Sequence, residues 1–166
     1  MNKSCASNNN IPRVECINYK INKYRIRWDF KTLYNEKGDE IGVTFMEDEI
    51  AHKPTLDEIK SIVINGINKQ IDDEILTGFK WKDMGIWLSL ENQWNYKAVY
   101  DLSVQTNGNN LPVIFKFENN NEPIYYQFDT LEEISDFYFK MMNFINTTLL
   151  TGWRKKDSIN WELYQV

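Results

Sequence analysis

A histidine, two cysteines and two carboxylate runs are the residues of this chain whose types could do chemistry. His52, the sole histidine, stands in "AHKP". Imidazole is the most frequent general base and a member of serine–histidine and cysteine–histidine nucleophile pairs. Here Lys53 and Pro54 follow it at the approach to a helix, which reads as a solvated loop. One histidine with Cys5 and Cys16 falls short of the usual four-ligand zinc set, so the two cysteines read as free thiols, in keeping with a reducing compartment. The runs "MEDE" (Met46–Glu49) and "DDE" (Asp72–Glu74) could supply calcium ligands or a carboxylate pair for glycoside hydrolysis. Neither has the spacing or glycine of an EF-hand loop, and the second falls on a helix whose apolar stripe continues through it, as a solvated face does. A phosphate loop, a dinucleotide fingerprint and a nucleophile elbow are all missing. No catalytic, cofactor-binding or metal-binding residue is assigned. The expectation is a protein that is not an enzyme and uses no cofactor.

Aromatic residues are the remaining chemical signal: six Trp, nine Tyr and nine Phe. Trp28 and Trp94 fall in phase with the stripes of a strand and a helix and are expected in the core. Trp81 lies between Lys80 and Lys82, and Trp153 precedes Arg154. With Trp87, Trp161 and Tyr125 they form the candidate interaction surface, since such rings stack on sugars or anchor protein interfaces.

The elements that position these residues are legible as two similar runs. "YRIRWDFKTLY" alternates, with Tyr24, Ile26, Trp28, Phe30 and Tyr34 on one face and Arg25, Arg27, Asp29 and Lys31 on the other. "NEKGDE" is a turn, and Ile41, Val43 and Phe45 lie on the returning strand. Later, "LPVIFKF" rises, "ENNNEP" turns and "IYYQF" returns. "TLDEI" at Thr55 and "TLEEI" at Thr130 are capping boxes that open helices. The first helix is striped by Ile59, Ile62, Val63, Ile67, Ile71 and Ile75, and the second by Ile134, Phe137, Tyr138, Met141, Ile145 and Leu149. Both runs then spell a shared phrase, "LTGFKWKDMGIW" from Leu76 and "LTGWRKKDSINW" from Leu150. Gly78 and Gly152 are expected to stop the two helices in the left-handed conformation, with a strand following each.

Between the runs, "SLENQWNYKAVYDLSVQ" predicts a connecting helix capped by Ser89, with Trp94, Ala98, Val99 and Leu102 facing inward and "TNGNN" ending it. The expected fold class is α+β: an antiparallel sheet packed with helices, built from two pseudo-repeated ββα(β) units, about 24–88 and 111–164, plus the connecting helix. Residues 20–166 are expected to form a single domain and residues 1–19 a flexible N-terminal arm that orders only against a neighbour.

Composition excludes several function classes. The 166 residues are 42% hydrophobic and 26% charged, as in an ordinary globular protein long enough to bury a core. A net charge of −5 argues against nucleic acid or an acidic membrane as the partner. No run approaches the about 18 apolar residues of a membrane helix. The first twenty residues lack the apolar stretch of a secretion signal, so the chain is expected not to be secreted.

Four stretches, "GFKWKDMGIWLSLENQWNYKAVYDL", "LPVIFKF", "YYQFDTLEEISDFY" and "GWRKKDSINWELY", resemble a domain of unknown function found in tail-fibre and tail-associated proteins of tailed bacteriophages and prophages. The shared pattern is an aromatic-rich strand leading to W-L-S-x-E-N-Q-x-N-Y, a middle L-P-V-x-F-K-F and a terminal helix closing on G-W-x-K-K-D. It covers Tyr24 to Val166 and leaves Met1–Lys20 outside. The resemblance brings no catalytic residues. It implies a structural or adaptor role in a virion, made in the host bacterial cytoplasm, with tail or fibre subunits as partners and self-association as a further expectation. A host-glycan-binding module and a tail-fibre assembly factor are the alternatives.

Overall fold

The computed structural model describes residues 1–7, 10–119 and 122–165. The chain divides into two compact units, Met1–Asn68 with Lys155–Val166, and Lys69–Arg154, where one domain was expected. Each unit has its own antiparallel sheet, and the fold class is α+β as expected.

In the first unit, strands β1 (Asn2–Ala6), β2 (Val14–Asn18), β3 (Lys23–Tyr34) and β4 (Glu40–Ile50) are ordered β1-β4-β3-β2. The β3–β4 connection is set by Asn35, whose Oδ1 accepts from the backbone N–H groups of Lys37 and Asp39, both at 2.9 Å. Helix α1 (Leu56–Thr77) starts in the capping box read from the sequence. Glu58 N–H donates to Thr55 Oγ1 at 3.3 Å, and Thr55 N–H donates to Glu58 Oε2 at 2.7 Å. Ile26, Trp28, Val43, Phe45, Ile59, Val63, Ile67 and Tyr164 form the buried apolar set of this unit. Gly66 is a required close approach: a Cβ there would lie 2.3 Å from the Trp28 ring.

The segment read as a flexible arm is instead part of this sheet. Arg27 on β3 is buried, and a buried guanidinium needs partners. Residues 12–15 supply them: Arg27 donates from Nη1 to Pro12 O at 3.0 Å and from Nη2 to Glu15 Oε2 at 2.6 Å, while Glu47 on β4 accepts from Nε at 3.3 Å. The arm's few apolar residues misled the sequence reading because the segment is held by hydrogen bonds and charge. Residues 8 and 9 lie outside the described residues.

In the second unit, β5 (Lys80–Trp81), β6 (Met84–Gly85), β7 (Val113–Asn119) and β8 (Glu122–Phe128) form a sheet in chain order. Lys82 and Asp83 join β5 to β6 with φ of 48° and 63°, a two-residue left-handed turn of the kind that matches strand twist. The β7–β8 turn, expected at "ENNNEP", falls partly outside the described residues. Helix α2 (Leu90–Gln105) is capped by Ser89, which accepts from Asn92 N–H. Helix α3 (Leu131–Asp157) starts at Thr130, whose Oγ1 accepts from Glu133 N–H at 3.2 Å. Phe79, Trp81, Met84, Ile86, Leu88, Tyr96, Phe117, Phe128, Ile134, Phe137, Met141 and Ile145 form its core.

The repeat is not confirmed, and its glycines explain why. Gly78 follows α1 without entering the left-handed region. Gly152 lies inside α3, which runs five residues further, to Asp157. Its backbone packs against Ile71, whose Cδ1 would lie 1.9 Å from an added Cβ. The second phrase therefore continues as helix and then forms a short 3-10 helix, Trp161–Tyr164, with no strand after the glycine among the described residues.

Candidate interaction surface

Of the five residues singled out as an interaction surface, Trp81 belongs to the core. It is 3% exposed, stacks on Phe128 at 5.2 Å and meets Tyr126 and Phe137 edge-on. Its Nε1 donates to Asp136 Oδ2 at 3.0 Å. The flanking lysines that suggested exposure are explained by strand alternation: Lys80 faces out while Trp81 faces in. Lys82 folds back over the indole, 4.5 Å from its centre, and reaches Glu133 and the Tyr126 hydroxyl. Burial pushes the Glu133 carboxyl up, but the hydrogen bonds from Lys82 and Tyr126 outweigh it and hold the group below its ordinary range. Asp136 is also held low, by Lys140 first and then by the Trp81 indole. This cluster pins the β5–β6 turn.

Trp87, Trp153 and Tyr125 are on the surface of the second unit, at 48%, 52% and 69% exposure. They share no ring contact with one another among the described residues. Trp161 belongs to the first unit, half-buried beside Tyr164 at 5.5 Å and lining a shallow cavity of ≈ 510 Å³ with Leu56, Pro54, Lys53 and Glu162.

Trp94, Ala98 and Leu102, expected to face inward, instead lie on a more continuous surface. Helix α2 turns Leu90, Trp94, Ala98 and Leu102 outward, a row spaced by four along one face, with Leu90 75% and Trp94 69% exposed. The inward face carries Asn92, Gln93, Tyr96, Val99, Tyr100 and Ser103. Asn92, Gln93 and Ser103 bond internally. Gln93 Nε2 donates to Leu88 O and Asn92 Nδ2 to Trp87 O, both at 2.8 Å, and Ser103 Oγ donates to Val99 O at 2.9 Å while accepting from Asn110 Nδ2. Tyr96 meets Phe115 and Phe137 at 4.9 and 5.2 Å, and burial pushes its hydroxyl up to about 12. Leu90 and Trp94 border a groove of ≈ 330 Å³ shared with Tyr138, Met141 and Met142 of α3 and with Gln93 and Lys97. Phe139 on α3 is also exposed, and its ring contacts Tyr100 at 5.7 Å.

Several of the side chains singled out for their chemistry make scaffold contacts. His52 Nε2 lies 2.8 Å from Glu58 Oε1, in the α1 cap. Glu47 pairs with Arg25 and Arg27, Glu49 with Lys23 and Arg25, and Asp73 with Lys69. Cys5 and Cys16 are free thiols on β1 and β2. Among the described residues no group of three or more His, Cys, Asp or Glu is placed to hold a metal ion, and no helix is long and apolar enough to cross a membrane. No family model matches the chain, and neither the curated proteins nor the solved structures gave a match.

Proposed function

We propose that this chain is a non-enzymatic interaction protein that docks through the outward face of α2. The observation that carries the proposal is the row Leu90, Trp94, Ala98 and Leu102, an apolar helix face turned to solvent above a groove lined by Tyr138, Met141 and Met142. A continuous apolar face of this kind favours a protein partner, with Trp94 as its aromatic anchor. The family resemblance of the sequence supplies the setting. The partner is a tail or fibre subunit of a tailed bacteriophage, and the protein is a virion component made in the host cytoplasm. Quantitative mass spectrometry of purified particles tests this reading. A copy number matching tail symmetry supports the adaptor. Presence in lysate but not in particles favours an assembly factor. Particles that assemble without the protein but fail to adsorb favour glycan binding.

A further inference from the structure

The first unit contains a cavity of ≈ 280 Å³ whose walls are chemically mixed. Aromatic and aliphatic surface comes from Trp28, Phe30, Val63, Ile67 and Tyr164; the charged groups are Arg13, Asp29 and Lys155. Three consecutive residues, Trp28, Asp29 and Phe30, line it together, although side chains of a regular strand alternate between faces.

The backbone explains how. The β3–β4 register steps from Trp28↔Met46 to Lys31↔Thr44, so Asp29 and Phe30 oppose a single residue. Asp29 takes φ of 55°, a left-handed conformation uncommon for a residue with a side chain. Such bulges re-aim side chains and recur beside functional sites. The alternation in the sequence put Asp29 on the face opposite Trp28; the bulge returns it to the cavity, where its Oδ1 pairs with Lys155 Nζ at 2.6 Å.

Arg13 is the second observation. Its guanidinium carbon lies over the Phe30 ring, 3.8 Å from the centre, and 5.8 Å from the centre of Tyr164. Unlike Arg25 and Arg27, it has no carboxylate partner among the described residues. With Lys155 paired to Asp29, Arg13 is the cavity's cation without a carboxylate partner among the described residues, held over two rings and hydrogen-bonded to the Tyr164 side chain.

We propose that this cavity binds a small organic carboxylate with a flat apolar body. Arg13 takes the carboxylate through its fork of N–H donors, and the rings of Phe30, Trp28 and Tyr164 cover the body. The Asp29–Lys155 pair closes the polar side and leaves the net positive charge that selects an anion. This site goes beyond the interaction reading and involves none of the α2 surface.

Isothermal titration of the full chain with phenylacetate, and separately with its neutral isostere phenylacetamide, tests the proposal. The expected result is saturable binding of the acid, with the amide weaker by roughly tenfold or more because it offers Arg13 no charge. Arg13→Gln should weaken the acid by roughly tenfold or more and leave the amide unchanged. Ile159→Trp, which fills the cavity without touching the cation, should abolish binding of both, with thermal melting confirming that the variants fold. Equal binding of acid and amide, full binding by either variant, or no saturable binding by the wild-type chain would overturn the proposal.

Discussion

On α3, Ile134, Phe137, Met141 and Ile145 face the core. On α2, Leu90, Trp94, Ala98 and Leu102 face water, while Tyr96 and Ser103 are buried. Both helices carry apolar residues at helical spacing, so periodicity alone would bury both stripes. The difference lies in what the inward side can satisfy. The polar inner residues of α2 find carbonyls at Trp87, Leu88 and Val99 to bond, so burying them costs little. Its apolar row stays largely exposed, with Leu90 and Trp94 bordering the groove against α3. The α3 stripe is scaffold, and the α2 stripe is available for contact.

The α3 stripe is most sensitive at Phe137. This fully buried ring meets Phe79, Trp81, Tyr96, Phe115, Phe117 and Phe128, so Phe137→Ala should cost about 3–5 kcal/mol in urea unfolding. A loss of under about 1 kcal/mol would mean that the α3 stripe does not hold the core.

Gly152→Ala comes next. The added methyl would meet Ile71 Cδ1 at 1.9 Å and Cγ1 at 2.6 Å, an overpacking that should cost about 1–3 kcal/mol. If the variant is more stable than wild type, as helix propensity alone would have it, the close packing of α3 on Ile71 is wrong.

A smaller effect separates the charged cap of α1 from the neutral Ser89 cap of α2. The Thr55 backbone N–H, then His52, then the Thr55 hydroxyl hold the Glu58 carboxyl down at about 2, from an ordinary 4.5. Its folded value lies below its unfolded one, so its contribution is complete above the unfolded value and fades as pH falls through 4.5 toward 2. Glu49, held low by Lys23 and Arg25, adds to the same slope. Glu58→Gln should flatten the loss of stability between neutral pH and about pH 3, read from urea midpoints, without removing it. An unchanged slope would contradict the cap geometry.

The sequence was most informative where an apolar pattern and a local cap agreed. Thr55 and Thr130 open helices as their hydroxyls suggested, and the stripes of α1 and α3 are buried or partly buried. It was misleading where identical letters face different neighbours. After Gly78, Phe79 and Trp81 alternate with Lys80 and enter the core as a strand, ending in the left-handed pair Lys82 and Asp83. After Gly152, Trp153-Arg154-Lys155-Lys156 offers no such alternation, and the helix continues. That period-two signal distinguished the two phrases more reliably than the glycines they share. The α2 surface was hidden for another reason: its inner face is held by hydrogen bonds, to which apolar periodicity is blind. The cavity beside Arg13 depends on one left-handed aspartate, and no residue pattern around Asp29 announced the bulge.

The most direct test of the central claim is the copy number of a Leu90→Lys, Trp94→Lys double variant in purified particles, measured by quantitative mass spectrometry beside wild type. Both side chains are exposed, so the substitutions should shift folding stability by no more than about 0.5 kcal/mol each. Ile41→Lys, at an exposed position of the first unit, serves as the control. Wild type and control should enter particles at one shared copy number, and the double variant, though folded, should be lost from them. Incorporation of the double variant at the wild-type copy number, or absence of the wild-type protein from particles, would contradict the central claim.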